Sequence, residues 1–345
     1  MGRSASLSAR PSMADVARVA NVSAPTVSRY FTGSGYVSAE TRERIAAAVD
    51  ALGYRVNQAG RNLRLQRTNS VGVLALGALN YGSAGVLTGL SLAARAADYT
   101  LNIIELDLDY DAIGWEKEAA RALDHFLSMP VDGIVLSTPV RGAEALIDTI
   151  SRNTPVITVS ELPHSRDASA STQSHTAGYE ATRHLIALGH ERIVHLAGPS
   201  TRNEAAERER GYRDAMREVN LAPDVVDVAV DWSSASGFRA GQLVDPATFT
   251  GVFAANDEIA LGFLSAMEKR GLRAPHDYSI VGVDDMPTAA YFSPPLTTMR
   301  LDFRTLGDHT FRMLHHEILT GERPRHLVVE PQLVRRESTA LRERS

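Results

Sequence analysis

Apolar positions recur at three- and four-residue spacing at the start of this chain. Over residues 15–20, Val16, Ala17 and Ala20 share one face of an amphipathic helix. Ser12 stands three residues ahead of Asp15 as a capping-box pair, and Asn21 follows as a turn residue. Ser23 opens a second helix that tolerates Ala24-Pro25 in its first turn and carries Val27, Tyr30 and Phe31 inward. Its exposed face is left with Thr26, Ser28 and Arg29, groups that hydrogen-bond phosphates and base edges. Two short helices about a tight turn read as a helix-turn-helix, with an ordinary αα-hairpin as the plain alternative. A third helix over 39–52, with Ile45, Val49 and Leu52 on one face and Gly53 closing it, favours the former.

From residue 70 the pattern changes to short apolar runs alternating with helical stretches. Strands are predicted over 71–76, 101–106, 132–137 and 155–159, with helices over 84–97, 115–128 and 143–152. After a Ser-rich, loop-like segment over 162–173, the series restarts. Helices over 175–188, 204–219, 235–243 and 258–270 alternate with strands over 192–197, 225–230, 251–254 and 279–283. A last helix over 306–320 and a strand over 327–334 cross back. Such alternation calls for parallel sheets flanked by helices, here two α/β halves with a cleft between them.

Composition narrows the class. At 345 residues, 44% hydrophobic and 22% charged, the chain suits a small soluble head on a large body. No apolar run reaches membrane-span length, residues 1–10 lack a signal-peptide core, and the absence of cysteine removes disulfides and thiolate chemistry. A cytoplasmic protein with no membrane partner is the expectation. Charge divides unevenly: residues 1–70 hold ten arginines and four acids, a net of +6, against −11 for residues 71–345. A basic head on an acidic body confines polyanion binding to the N-terminus.

The head's residues carry a resemblance. Asp15-Val16-Ala17, Val22-Ser23, Thr26-Val27-Ser28-Arg29, Val37-Ser38, Thr41-Arg42, Arg44-Ile45, Leu52-Gly53-Tyr54, Asn57, Arg61 and Leu63 stand at the spacing of the LacI/GalR family of bacterial transcription regulators. It continues through His184 to Pro199, Asp231 to Phe238, Phe253 to Gly262, Val281 to Asp285 and Pro294 to Phe303, phrases of that family's body, which resembles periplasmic sugar-binding proteins. The resemblance implies a small all-α helix-turn-helix head and a bilobed α/β body of two parallel-sheet subdomains. Its expected divisions are a disordered tail (1–10), the head (11–56), a hinge helix (57–69) and an effector-binding and dimerisation domain (70–345). The latter's N-subdomain takes 70–165 and 300–325, its C-subdomain 166–299 and 326–340. In the family the hinge folds on operator DNA and pushes a leucine into the minor groove, here Leu63. Two departures stand there, Gly60 for alanine and Val56 for proline, and the glycine weakens that helix.

The resemblance also implies the working residues. On DNA these are Ser23, Ala24, Pro25, Thr26, Ser28, Arg29, Asn57, Arg61 and Leu63. In the cleft, Arg208, Asn256 and Asp284 match the effector-gripping arginine, asparagine and aspartate, Trp232 the stacking tryptophan, Tyr81 a second stacking candidate, and Ser160 replaces a pocket aspartate. Four of them have a plainer reading: Arg208 as one solvated charge in RNEAAERERGYR, Asn256 as a helix cap, Asp284 as a turn residue, Trp232 as core. The function so implied is a homodimeric repressor on pseudo-palindromic double-stranded DNA, controlled by a small carbohydrate of glycoside or galactoside type. A purine- or nucleoside-responsive regulator of the same fold is the alternative. A sugar-transport receptor would have a signal peptide and no basic head. An enzyme would need partners for His184, His190 and His195, which show no metal-ligand spacing, so no catalytic residue, metal or cofactor is expected.

Overall fold

The computed structural model describes residues 11–55, 67–77, 80–106, 114–137, 154–161 and 168–342. The chain divides into two compact units, Met1–Thr68 and Asn69–Ser345. Unit 1 holds α1 (Met13–Val19), α2 (Ala24–Thr32) and α3 (Ala39–Leu52). Each begins on a serine, Ser12, Ser23 and Ser38, whose hydroxyl accepts the backbone N–H three residues on at 3.3 Å. At α1 the box is complete, because Asp15 accepts the Ser12 backbone N–H at 3.0 Å. Asn21 takes the left-handed turn (φ 52°) and Gly33 and Gly53 close α2 and α3 at positive φ. Val16, Val27 and Ile45 are fully buried and meet beside Tyr54, so each helix turns one apolar face to the same small core.

Unit 2 contains two six-stranded sheets. In chain order its elements are β1 (Ser70–Leu76), α4 (Tyr81–Ala96), β2 (Thr100–Leu106), α5 (Trp115–Ser128), β3 (Gly133–Ser137), β4 (Val156–Val159), β5 (Ser169–Ser171) and α6 (Ser174–Ala187). Then come β6 (Ile193–Leu196), α7 (Asn203–Glu218), β7 (Asp224–Val226), α8 (Ser234–Leu243), β8 (Gly251–Ala254), α9 (Asp257–Lys269), β9 (Ser279–Asp284) and β10 (Thr297–Arg300). The last are α10 (Phe303–Thr320), β11 (Leu327–Val328) and β12 (Gln332–Val334). The first sheet runs β11-β5-β4-β3-β1-β2, all parallel. The second runs β12-β10-β9-β8-β6-β7, parallel except where β12 pairs antiparallel with β10. Their central strands are buried throughout, which is why β1 and β9 read as unbroken apolar runs.

Helices pack in pairs at very close range. In α4 and α10, a Cβ on Gly89 would stand 2.0 Å from the Arg304 carbonyl oxygen, and one on Gly307 2.1 Å from that of Val86. α6 and α7 meet the same way through Gly178 and Gly211, and α8 and α9 through Gly237 and Gly262. The chain passes between the sheets after β5, after β10 and after β11.

The structure moves several expected boundaries. Residues 169–171, expected within the loop-like segment over 162–173 and assigned to the C-subdomain, form β5 and pair with β4 in the first sheet. Ser-Ala-Ser carries no apolar run, so only backbone pairing marks it as a strand. The expected strand over 327–334 splits, β11 joining the first sheet and β12 the second. The predicted 225–230 strand is confined to β7, and β10 lies in a stretch the pattern left unassigned. The expected tail over 1–10, the hinge residues Asn57, Arg61 and Leu63, and the helix over 143–152 lie outside the described residues. Among the described residues no helix is long and apolar enough to cross a membrane, and no three His, Cys, Asp or Glu side chains are grouped to hold a metal.

Candidate functional site

In unit 1 the turn between α1 and α2 aims α2 by its N-terminus. Val27 is buried against α1 and α3, which leaves Ser23, Ala24, Pro25 and Arg29 exposed and Thr26 and Ser28 half-buried on the outward side. The Ser23 and Thr26 hydroxyls lie 2.8 Å apart. A small, polar, uncrowded helix start with free N–H groups can approach phosphate oxygens and base edges. Thr32, by contrast, turns its hydroxyl back onto the Ser28 carbonyl at 2.9 Å.

In unit 2 a cavity of about 620 Å³ opens at the carboxyl ends of both sets of strands. Gly77 follows β1, Ser137 ends β3, Ser160 follows β4, Asn256 follows β8 and Asp284 ends β9. Tyr81, Ser160, Arg208, Trp232, Asn256 and Asp284, the six residues singled out in sequence, all line it.

Arg208 is the hub of one wall. It projects from the second turn of α7, with 4% of its surface exposed, which overturns the solvated-surface alternative. Its Nη1 donates to the Ala255 carbonyl at 2.6 Å and its Nη2 to Asp284 Oδ1 at 3.3 Å. The guanidinium lies over the Trp232 ring, 5.2 Å from the centroid. Gly198 makes room for that ring, since a Cβ there would fall 2.5 Å from Trp232 Cζ3. Asn256 does cap a helix: its Oδ1 accepts the Ile259 N–H at 2.8 Å while its Nδ2 donates to the Trp232 carbonyl at 3.1 Å. The cap therefore also anchors the loop that carries the tryptophan.

Asp284 has φ 113°, a region that side-chain-bearing residues rarely adopt. Burial, opposed by Arg208, raises its carboxyl pKa to about 6. Behind it Asp257 is wholly buried, accepting the Thr298 hydroxyl at 2.6 Å and the Met286 N–H at 2.8 Å. Burial, followed by the Asp284 charge, pushes Asp257 well above the usual carboxylate range. Tyr81 begins α4 and meets Phe303 edge-on at 6.1 Å, so two further aromatic rings line the cavity besides Trp232. Arg208 Nε, Trp232 Nε1 and Ser174 Oγ are buried and have no hydrogen-bond partner among the described residues.

Sequence reasoning did not single out Glu161, Arg202, Glu204, Glu258 or Phe303, which also line the cavity. Glu204 stands four residues before Arg208, a spacing that places both on one helix face. The three histidines weighed for catalysis are engaged within the body. His195 is fully buried, hydrogen-bonds the Phe253 carbonyl at 3.0 Å and is driven down to about 4 by burial. His184 and His190 hold Thr339 and Ala340 of the C-terminal segment.

A three-helix DNA reader joined in one chain to a two-lobed α/β body, with a polar and aromatic cleft at its strand ends, defines a class: transcription regulators controlled by a small molecule. Residues 12–57 match the lacI family of bacterial regulatory proteins and residues 182–339 a periplasmic binding protein-like domain. The chain is 32% identical to the HTH-type transcriptional repressor PurR of Vibrio campbellii over 338 residues, 93% of this chain and 96% of that one. Identity to PurR of Escherichia coli O139:H28 is also 32%, over 336 residues, 94% of this chain and 96% of that one. Among solved structures, the Lac repressor dimer bound to operator and the anti-inducer ONPF superposes with a TM-score of 0.87 at 26% identity, covering 96% of this chain and 100% of that one. The regulator CelR in complex with cellobiose gives 0.69 at 27%, covering 95% and 100%. The chain belongs to the LacI family and is a DNA-binding transcriptional repressor.

Proposed function

We propose that this repressor responds to a purine-type effector held in the cleft of unit 2. The observation that carries the reading is the wall around Arg208. Two buried N–H donors without partners among the described residues, Arg208 Nε and Trp232 Nε1, are grouped with the acceptor Asp284, which Arg208 itself touches. A purine edge sets a ring N–H beside a carbonyl or ring nitrogen in one plane, so it answers donors and acceptor together, while its face suits the indole. The 32% identity to purine-responsive repressors over nearly the whole chain supports this over the carbohydrate expected from sequence. A sugar is the second reading, supported by the likeness to the cellobiose-bound regulator and by the Trp232 face.

A pair of heads on a homodimer reads two half-sites of a pseudo-palindrome through Ser23, Ala24, Pro25, Thr26, Ser28 and Arg29, with Asn57, Arg61 and Leu63 at its centre. Ligand favours one arrangement of the two lobes, and operator affinity changes by the difference in binding energy between arrangements, typically about 1–3 kcal/mol. A thermal-shift panel of purine bases, nucleosides, and mono- and disaccharides, followed by operator titration with the hits, tests this. Stabilisation by a purine that also shifts operator affinity is expected; stabilisation by sugars alone rejects the purine reading.

A further inference from the structure

Where β9 gives way to a turn, two successive residues that carry side chains hold positive φ, Asp284 at 113° and Asp285 at 52°. Backbone of that kind persists only where its surroundings over-determine it. From one side, Asp257 accepts the Met286 N–H at 2.8 Å, and Thr298, whose hydroxyl donates to Asp257, takes the Asp285 N–H at 3.4 Å. The other side is held through the Asp285 carboxylate, whose side chain is 8% exposed. One of its oxygens accepts Arg300 Nε at 2.7 Å and the other accepts Arg336 Nη2.

The two cations are not equal. The Arg300 side chain is half exposed, whereas that of Arg336 is 18% exposed and tied at several points. Arg336 Nη1 donates to the Leu296 carbonyl at 2.7 Å, and its backbone N–H donates to Thr297 Oγ1 at 2.9 Å. Two residues on, Ser338 is fully buried; its hydroxyl accepts the Thr297 N–H at 2.8 Å and donates to the Ile280 carbonyl at 2.6 Å, while its carbonyl accepts the Ile280 N–H at 2.9 Å. The segment after β12 is thus stitched to both β9 and β10, and it delivers the Arg336 guanidinium to Asp285 at a fixed place. None of the described residues that line the cleft comes from this segment. Without Arg336, Asp285 would keep only the half-exposed Arg300, and its carboxylate would gain by turning to water. That turn would re-set φ at Asp285 and redirect the adjacent Asp284 carboxyl, which here meets Arg208 Nη2 at 3.3 Å.

We propose that Arg336 is a positioning residue: through Asp285 it holds Asp284 in its strained conformation against Arg208, so that a segment outside the cleft sets how tightly Asp284 grips a ligand. The consequence for a ligand rests on the cleft being the effector site, as proposed above.

Two measurements on the full chain separate the brace from that reading. The first needs no ligand. Carboxyl carbon-13 NMR follows the titration of Asp284, assigned with Asp284→Asn, in the parent and in Arg336→Gln. Burial raises this carboxyl to about 6 in the parent. Released toward the open cleft it loses part of that burial, and a titration about one unit lower is expected. The second is calorimetry with hypoxanthine, whose ring N–H stands beside a carbonyl, and with cellobiose. Whichever probe binds the parent should bind Arg336→Gln about tenfold more weakly, and Asp285→Asn equally so. The double variant should be no worse than either single one, because both break the same link. Gly262→Ala, whose new Cβ meets Ser234 and not this turn, controls for lost stability and should leave probe affinity unchanged. Should Arg336→Gln fold poorly, Arg336→Lys keeps a cation for Asp285 but lacks the fork that also serves Leu296, and changes in the same directions but smaller are expected. An unmoved Asp284 titration overturns the inference, as does unchanged affinity for a probe that binds the parent, or an equal loss in Gly262→Ala. If neither probe binds while the Asp284 titration moves, the cleft loses its reading as a purine or sugar site and Arg336 keeps its role.

Discussion

Asp284 is strained at φ 113°, buried and paired with Arg208, and its chemistry sets two expectations. Its pKa rises from 3.8 to about 6 in the folded chain. The native state therefore holds the proton more tightly than the unfolded one, and ionisation works against folding. The contribution of this group to stability is greatest below the unfolded value and is lost as pH climbs to about 6. Asp257 adds a change of the same sign. Denaturant midpoints of Asp284→Asn should accordingly decline less between those pH values than those of the parent. An equal decline would assign the effect elsewhere. Removing the partner is the costlier change. Arg208→Ala leaves a buried carboxylate without its cation, a loss of about 3–5 kcal/mol. Asp284→Asn placed on top of it should restore part of that, so the two substitutions are non-additive in thermal melts. Trp232, Asn256 and Asp284 sit in phrases that carry the family resemblance, whereas Arg208 lies in a charge-laced helix and was singled out through the resemblance alone. Glu204 was not. On α7 it shares a run with Glu207, Glu209, Arg210 and Arg213, whose pairs face solvent, and composition alone cannot say which charge turns toward the sheet.

At the scale of elements, the caps and glycines decide more than propensity. Ser23 satisfies the Thr26 N–H at the start of α2, so Ser23→Ala should cost the head about 1 kcal/mol, read as a lower melting temperature of unit 1. Gly262 raises the opposite question. Alanine is the better helix former by about 1 kcal/mol, yet its Cβ would meet the Ser234 carbonyl oxygen at 1.8 Å. Overlap with backbone cannot be relieved by a rotamer change, so Gly262→Ala should destabilise the body by about 1–3 kcal/mol, seen in denaturant unfolding. A neutral or stabilising result would mean that α8 and α9 can separate without loss. The helices were the most legible part of the fold: α3 and α5 fall where periodicity puts them, and so does the short buried strand β8. The strands at lobe crossings were the least. β5 is polar, β11 has two residues and β12 three, and such segments become strands only because a neighbour offers its edge.

At the scale of the whole molecule, charge and linkage make the last expectation. A head of net +6 and a body of net −11 place the phosphate-facing charge at one end of the chain. Operator affinity should therefore fall steeply with salt, while uptake of a neutral purine, the effector proposed above, should respond far less, because the first releases counterions and the second does not. The two events are nevertheless bound by thermodynamics. If effector alters operator affinity by some factor, operator must alter effector affinity by the same factor and in the same sense, since both legs of the cycle end on one ternary complex. Calorimetric titration of effector into the free repressor and into the repressor saturated with an operator duplex, at one salt concentration, measures that factor directly. A change of about 5- to 150-fold is the range that coupling of about 1–3 kcal/mol predicts, and operator titrations with and without effector must return the same number. Equal effector affinity in both titrations would mean that the cleft and the head share a chain but no free energy, and regulation would then have to act through some other step than operator affinity.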